Sequence, residues 1–325
     1  MTADRLSFAT EAGLTLPADG PILLIGAPGD LYSDALPLDR CTVVQGVKPD
    51  HDTWTARGVP VTLAPEGNFA AAIVFLPRAR DLAEARVAMA CNAAPGGLIV
   101  IDGQKTDGIE PLAKAVKARG ALLGQVSKAH GKTVWFTASD AFADWARGPA
   151  QNSYGLWTAP GVFSADAPDP GSEALLAALP AKLGANVADL GAGWGGLATG
   201  LLARDTLAEL HLVEADHSAL DCAQRNVTDP RARFHWADAT AWTPPEPLDA
   251  VVMNPPFHSG RKSDPALGQA FIAAAKRILK PSGHLWLVAN RHLPYETALE
   301  AQFRDSAEIA GDNRFKILHA SRPNR

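Results

Sequence analysis

The chain has 325 residues, of which 47% are apolar and 20% charged, with a formal net charge of −5. That length suits two domains, each able to bury its own core, and the composition argues against a disordered or fibrous protein. A net acidic chain has no bulk attraction for phosphate, so a nucleic-acid partner would have to meet a local basic patch.

Read in chain order, apolar runs alternate with helix-like stretches and are punctuated by Gly, Pro and Asp. This is the pattern of a parallel sheet covered by helices. In the first half the predicted strands are Pro21 to Ala27, Cys41 to Val47, Val59 to Leu63, Ala71 to Leu76 and Gly97 to Asp102. Residues 147–160 (RGPAQNSYGLWTAP) read as a linker. In the second half the predicted strands are Asn186 to Leu190, Leu210 to Glu214, Arg233 to Trp236, Leu248 to Met253 and Gly283 to Ala289. Two more, Ala307 to Ala310 and Phe315 to Ser321, are separated by four residues. That gap is too short for a helical crossover and predicts an antiparallel hairpin. The segments AAIVFLP–helix–CNAAPGGLIVIDG and DAVVMNPPF–helix–KRILKPSGHLWLVAN share one grammar. The expectation is a tandem duplication of Rossmann-like α/β domains, mostly parallel sheets flanked by helices, over 1–146 and 161–325.

No apolar run approaches the roughly 18 residues of a membrane-spanning helix, and MTADRLSFATEAG has no basic-then-apolar leader, so no membrane partner is expected. Cys41, Cys91 and Cys222 fit neither a disulfide framework nor a CxxC metal site. They read as small buried hydrophobes in a reducing, cytoplasmic compartment, with no metal.

Asp189-Leu190-Gly191-Ala192-Gly193-Trp194-Gly195-Gly196 leads from a strand into a helix. Glycines there let backbone approach a ligand with no Cβ in the way. The spacing also satisfies the dinucleotide fingerprint, and Glu214 at the end of the next strand can accept both ribose hydroxyls in either cofactor class. Two features favour S-adenosylmethionine (SAM). Asp189 is suited to a methionine ammonium and would repel a pyrophosphate, and Asp238 after the third strand can accept from an adenine amine.

The strand Asp249 to Met253 ends in Asn254-Pro255-Pro256-Phe257. Two prolines stiffen the turn and remove two N–H donors, so the Asn254 side-chain oxygen and the Pro255 carbonyl can face one point. An aromatic amine such as guanine N2 is a poor nucleophile because its lone pair is delocalised. Two acceptors on its two N–H bonds would orient the group, with Phe257 as a flat face for the base; positioning and electrostatics would supply most of the acceleration.

With these residues the chain resembles class I SAM-dependent methyltransferases carrying Asn-Pro-Pro-Phe/Tyr, and more closely the bacterial ribosomal RNA guanine-N2 methyltransferases of the small-subunit methyltransferase C family. The likeness covers about Pro160 to Arg322 and includes Pro160 to Ser164, Asp169-Pro170-Gly171-Ser172, Asn254 to His258 and the stretch from Val288 to Tyr295. It implies Phe163 and Ser164 closing over the cofactor, Asp189, Gly191 and Gly193 under its methionine end, Glu214 and Ala215 at the ribose, and Asp238 and Ala239 at the adenine. It also implies Asn254 to Phe257 holding a base of ribosomal RNA or the small subunit, and a degenerate first copy. The first half departs from a working site with Gly26-Ala27-Pro28-Gly29, Gln45 where an acid is needed, and Leu76-Pro77-Arg78 in place of the tetrad. Candidate RNA contacts are His258, Arg261, Lys262 and Arg291, with His292 nearby. A basic stretch of Lys114, Lys117, Arg119, Lys128, His130 and Lys132 lies in the first half. Methylation of another planar nitrogen, a nicotinamide oxidoreductase and a non-catalytic SAM-binding assembly factor are the alternatives.

Overall fold

The computed structural model describes residues 5–256, 258–259, 262–263 and 265–324. The chain falls into two compact units, Met1–Gly148 and Pro149–Arg325.

The first unit holds strands β1 (Ile22–Ile25), β2 (Cys41–Val44), β3 (Val61–Thr62), β4 (Ala71–Phe75), β5 (Leu98–Gln104), β6 (Leu122–Lys128) and β7 (Gly131–Thr137), with helices α1 (Arg5–Glu11), α2 (Lys48–Ala56), α3 (Arg80–Ala93) and α4 (Ile109–Arg119). Its sheet runs β3-β2-β1-β4-β5-β7-β6. The first five strands are parallel and the last two pair antiparallel. β4 is buried along its whole length, as expected of a central strand covered on both faces, so it reads as a continuous apolar run without alternation.

A short ribbon, β8 (Ala150–Gln151) with β9 (Trp157–Thr158), opens the second unit. Then come β10 (Asn186–Leu190), β11 (Glu209–Glu214), β12 (Ala232–Trp236), β13 (Leu248–Met253), the pair β14 (His258–Ser259) and β15 (Lys262–Ser263), β16 (Leu279–Asn290), β17 (Phe303–Gly311) and β18 (Phe315–Pro323). The helices are α5 (Pro170–Ala178), α6 (Gly196–Leu202), α7 (His217–Asn226), α8 (Pro265–Ile278) and α9 (Glu296–Gln302). The main sheet is ordered β12-β11-β10-β13-β16-β18-β17. Position for position this is the order of the first sheet, so the duplication is written in topology as well as in sequence. The strand order reverses between β10 and β11 on one side and β13 on the other. In an open α/β sheet the ligand crevice lies beyond the C-terminal ends of the strands at such a switch point.

Two expectations need correction. The first unit carries a hairpin, β6–β7, where only a basic stretch was read. Its two-residue turn is Ala129-His130 with φ of 48 and 57, a conformation that hairpins usually reach with Asn-Gly or Gly, so the usual signal is missing. The basic stretch is also largely spoken for. Arg119 makes a bidentate pair with Asp144, Lys132 pairs with Glu110, and Lys128 lies over the Phe8 ring. The segment read as a linker is not one throughout: from Pro149 it belongs to the second unit, and Trp157 exchanges two hydrogen bonds with Asn226 of α7, at 2.7 and 2.8 Å.

Candidate active site

At the switch point of the second sheet a cleft opens, lined among others by Phe163, Asp169, Ser172, Gly191, Gly193 and Asn254. Its floor is the turn after β10, where Gly191, Gly193 and Gly195 take φ of 77, 56 and 89, a region that costs other residues about 1–2 kcal/mol. The Gly191 and Ala192 N–H groups donate to the Val213 carbonyl at 2.9 and 3.1 Å, tying the turn to β11. A Cβ added at Gly193 would meet nothing within 4 Å, so the backbone there faces open space.

Glu214 braces this turn. One carboxylate oxygen accepts from Gly193 N and the other from Asp216 N, both at 2.8 Å. Burial raises its pKa, and those N–H donors partly offset the rise. The next residue, Ala215, accepts at its carbonyl from the Trp236 indole at 2.8 Å. Asp238 accepts from Thr240 N and Oγ1 at 2.8 and 2.7 Å, and Ala239 is buried in the core.

Asp189 lies deeper, on β10 between Leu212 and Val252. Its side chain is fully buried and neither oxygen has a hydrogen-bond partner among the described residues. Burial, and secondarily the charge of Glu214, pushes its pKa up to about 8. A buried polar group without a partner is costly, and this one stands on β10 two residues before Gly191, not among the residues that line the cleft.

Phe163 is 54% exposed although it lines the cleft. The loop carrying it is held by the Trp194 indole, which donates to the Phe163 carbonyl at 3.0 Å. Ser164 follows with φ 51, a strained conformation for a residue with a Cβ.

Asn254 leaves β13 into the cleft. Its amide nitrogen donates to Asp169 Oδ2 at 2.9 Å and to Ser172 Oγ at 3.0 Å. Pro256 borders the glycine turn: a Cβ on Gly191 would stand 3.9 Å from its Cδ. Asn254 and the glycine turn therefore share one cleft. Phe257 and Arg261 lie outside the described residues, as do the side chains of His258 and Lys262. Arg291 is committed elsewhere. It pairs with Glu308 at 2.8 Å and donates to the Asp312 and Phe315 carbonyls, clasping the β17–β18 hairpin.

Ser172 and Trp194 were not singled out by residue type. Asp169-Pro170 did carry a local signal, an acid followed by proline at a helix start. Asp169 caps α5 by accepting from Ser172 N at 2.8 Å.

At the matching edge of the first sheet there is also a cleft, lined by Gly26, Pro28, Leu76, Pro77 and Arg86, but its side chains differ from those of the second unit. Ile25 pairs with Val44 as Leu190 pairs with Val213, so Gln45 stands where Glu214 stands. Gln45 is 3% exposed and its amide donates inward to the Ala27 carbonyl at 2.9 Å. At Gly26 an added Cβ would lie 2.1 Å from the Arg86 guanidinium, whereas at Gly191 the nearest atom, on Phe271, is at 3.5 Å.

Residues 153–319 match the family model described as methyltransferase small domain. The chain is 33% identical over 266 residues to the ribosomal RNA small subunit methyltransferase C of Hahella chejuensis, covering 77% of this chain and 76% of that one. It is 31% identical over 317 residues to the protein of the same name from Pseudomonas aeruginosa (strain LESB58), covering 93% and 95%. Among solved structures it is similar to the T. thermophilus 16S rRNA N2 G1207 methyltransferase (RsmC) in complex with AdoMet and guanosine, with TM-score 0.78 and 26% identity over 95% of this chain and 90% of that one. A glycine turn braced by a strand-end glutamate, Asn254 in the same cleft and relatives matched along three quarters or more of their length agree: the chain is a SAM-dependent methyltransferase and belongs to the ribosomal RNA small subunit methyltransferase C family.

Proposed function

We propose that the second unit transfers a methyl group from SAM to the exocyclic N2 amine of a guanine in small-subunit ribosomal RNA, acting in the cytoplasm. The observation that carries this reading is Asn254, pinned through its nitrogen at the edge of the cleft that the glycine turn floors.

The residues present suit SAM. Gly191 and Gly193 offer bare backbone, Glu214 has lone pairs left for ribose hydroxyls, and Asp238 for an adenine amine. The unpaired, buried carboxyl of Asp189 is suited to the charge of a methionine ammonium. Bound SAM supplies an electrophilic methyl group on a good leaving group, so the site needs no strong base. What the chain contributes is placement. The Asn254 oxygen and the Pro255 carbonyl accept the two N–H bonds of the amine and turn its lone pair toward the glycine turn, while Pro255 and Pro256 bring no N–H that would compete for that lone pair. The surplus proton leaves to water afterwards. A guanine amine inside a duplex is inaccessible, so the base must be unpaired or flipped out. We assign Phe257 to the flat face of the base and Arg261 and Lys262 to flanking phosphates, on sequence position alone. The first unit, with Gln45 turned inward and Arg86 over Gly26, is read as holding no cofactor and as supporting the fold or docking RNA.

The test is incubation with labelled SAM of unmethylated small subunits, large subunits, naked rRNA, DNA and protein, followed by nucleoside analysis. N2-methylguanosine from small-subunit rRNA is the expected product. Label on adenine N6 or glutamine would replace this reading with another planar nitrogen, and no turnover with tight SAM binding would leave an assembly factor.

A further inference from the structure

We propose that Asp169 and Ser172 are positioning residues: they lock the orientation of the Asn254 amide, so that the site presents an acceptor and selects an amino group over a carbonyl or an unprotonated ring nitrogen. This rests on the reading that Asn254 grips the substrate amine.

The two ends of an asparagine amide are nearly isosteric, one accepting and the other donating. A free Asn254 could turn either end toward a ligand, and half of its orientations would set N–H against N–H. Here the choice is made by a segment more than eighty residues away. Asp169 caps α5, and its Oδ2 accepts from Ser172 N at 2.8 Å and from Asn254 Nδ2 at 2.9 Å. Ser172 Oγ adds a second acceptor at 3.0 Å. Swapping the amide would press its oxygen against a carboxylate oxygen that has no proton to give, so repulsion excludes the swap. The carboxylate itself has little room to shift. Pro170 begins α5, and Gly171 leaves the turn just enough space, since a Cβ there would lie 3.0 Å from Asp169 Oδ2. All three side chains line the same cleft, and the amide end that Asp169 and Ser172 do not take is the oxygen. A substrate must therefore arrive with N–H bonds.

The variants separate this role from capping. Asp169→Ser keeps a good N-cap but is too short to reach Asn254 as well, and Ser172→Ala removes the second acceptor. Asp169→Asn keeps an oxygen at the acceptor position. For wild type, Asn254→Ala and these variants, kcat and KM for the RNA substrate, SAM affinity by calorimetry and the melting temperature are measured. The Asp169→Ser/Ser172→Ala double variant is expected to lose about 10–100-fold in kcat, as when a reacting group is held loosely, with KM and SAM affinity unchanged within about threefold. Asp169→Asn should recover most of the rate. Should the double variant fail to fold, Ser172→Ala alone must still show a fall confined to kcat. Wild-type kcat in a folded double variant, or a loss lying wholly in SAM affinity, overturns the inference while an inactive Asn254→Ala leaves the functional reading standing. Full activity in Asn254→Ala would bring down both.

Discussion

Asp189→Asn should make the cofactor-free protein more stable and the enzyme unable to hold SAM properly. In the free protein the carboxyl is fully buried without a hydrogen-bond partner, and its pKa is raised from 3.8 to about 8. The sign follows from linkage. An acid whose folded-state pKa lies above its unfolded value stabilises the fold least at high pH: the stability is full below the unfolded value and is lost as pH rises from about 4 toward 8. At pH 7 the folded protein keeps a proton that the unfolded chain has released, at about 1.4 kcal/mol for each of roughly three pH units, on the order of 4 kcal/mol. Asparagine removes that cost but leaves a buried amide unsatisfied, which returns about 1–3 kcal/mol. The net gain is of the order of 1–3 kcal/mol, or a melting temperature higher by roughly 3–10 °C for a unit of this size. If an ammonium docks on Asp189 the proton must leave, so SAM should bind about tenfold more weakly at pH 6 than at pH 7. Calorimetry in buffers of different ionisation enthalpy should count close to one proton released at pH 7. Asp189→Asn should flatten the pH dependence and weaken binding. A lower melting temperature in the variant, or proton release unchanged by it, would refute this account of Asp189.

Asn254→Ala is expected to lower kcat by about 10²–10³-fold, the usual loss on removing one preorganised transition-state contact, with SAM affinity unchanged by calorimetry. The pairs His211–His235 and His284–His319 share ring nitrogens at 3.0 and 2.9 Å. Burial depresses the pKa of His211, His235 and His319, each partner histidine lowers His235 and His319 further, and Glu209 and Asp305 act in the opposite direction. A histidine depressed in the folded state withholds a proton that the unfolded chain accepts, so the histidine contribution to stability should fall as pH drops below about 6.5, opposing the gain from Asp189. The melting temperature of His235→Gln relative to wild type should therefore rise as pH falls from 7 to 5, and a difference that stays constant would contradict it. In the first unit Arg5 and Asp102 form a bidentate pair at 2.8 and 2.6 Å with side chains 4% and 11% exposed. Asp102→Ala strands the guanidinium and should cost about 3–5 kcal/mol by denaturant titration, with SAM still bound once per chain. A stoichiometry of two would contradict the reading of the first unit as cofactor-free.

The architecture was open to sequence reasoning because its signals are local. Leu248 to Met253 and Asn186 to Leu190 are mostly apolar runs bounded by turn residues, and the structure begins and ends β13 and β10 at those residues. Four residues between the last two runs sufficed to require a hairpin. The chemistry of the Asn-Pro-Pro turn could also be read, because proline acts on its own backbone. Where a local signal was missing the reading failed: Ala129-His130 makes a hairpin turn with residues that rarely do.

What only the tertiary structure decided are relations between residues far apart in the chain. Sequence alone placed an asparagine at a strand end, but which end of its amide faces outward depends on Asp169 and Ser172, 85 and 82 residues earlier. Sequence alone placed an acid before the glycines, but its raised pKa arises from burial between β11 and β13 and from the charge of Glu214. Arg291 reads in the sequence as a loop charge, and only the fold pairs it with Glu308 of β17. Dihedral preference and apolar periodicity are properties of short segments, whereas desolvation, charge pairing and hydrogen-bond orientation depend on what the fold brings within a few ångströms.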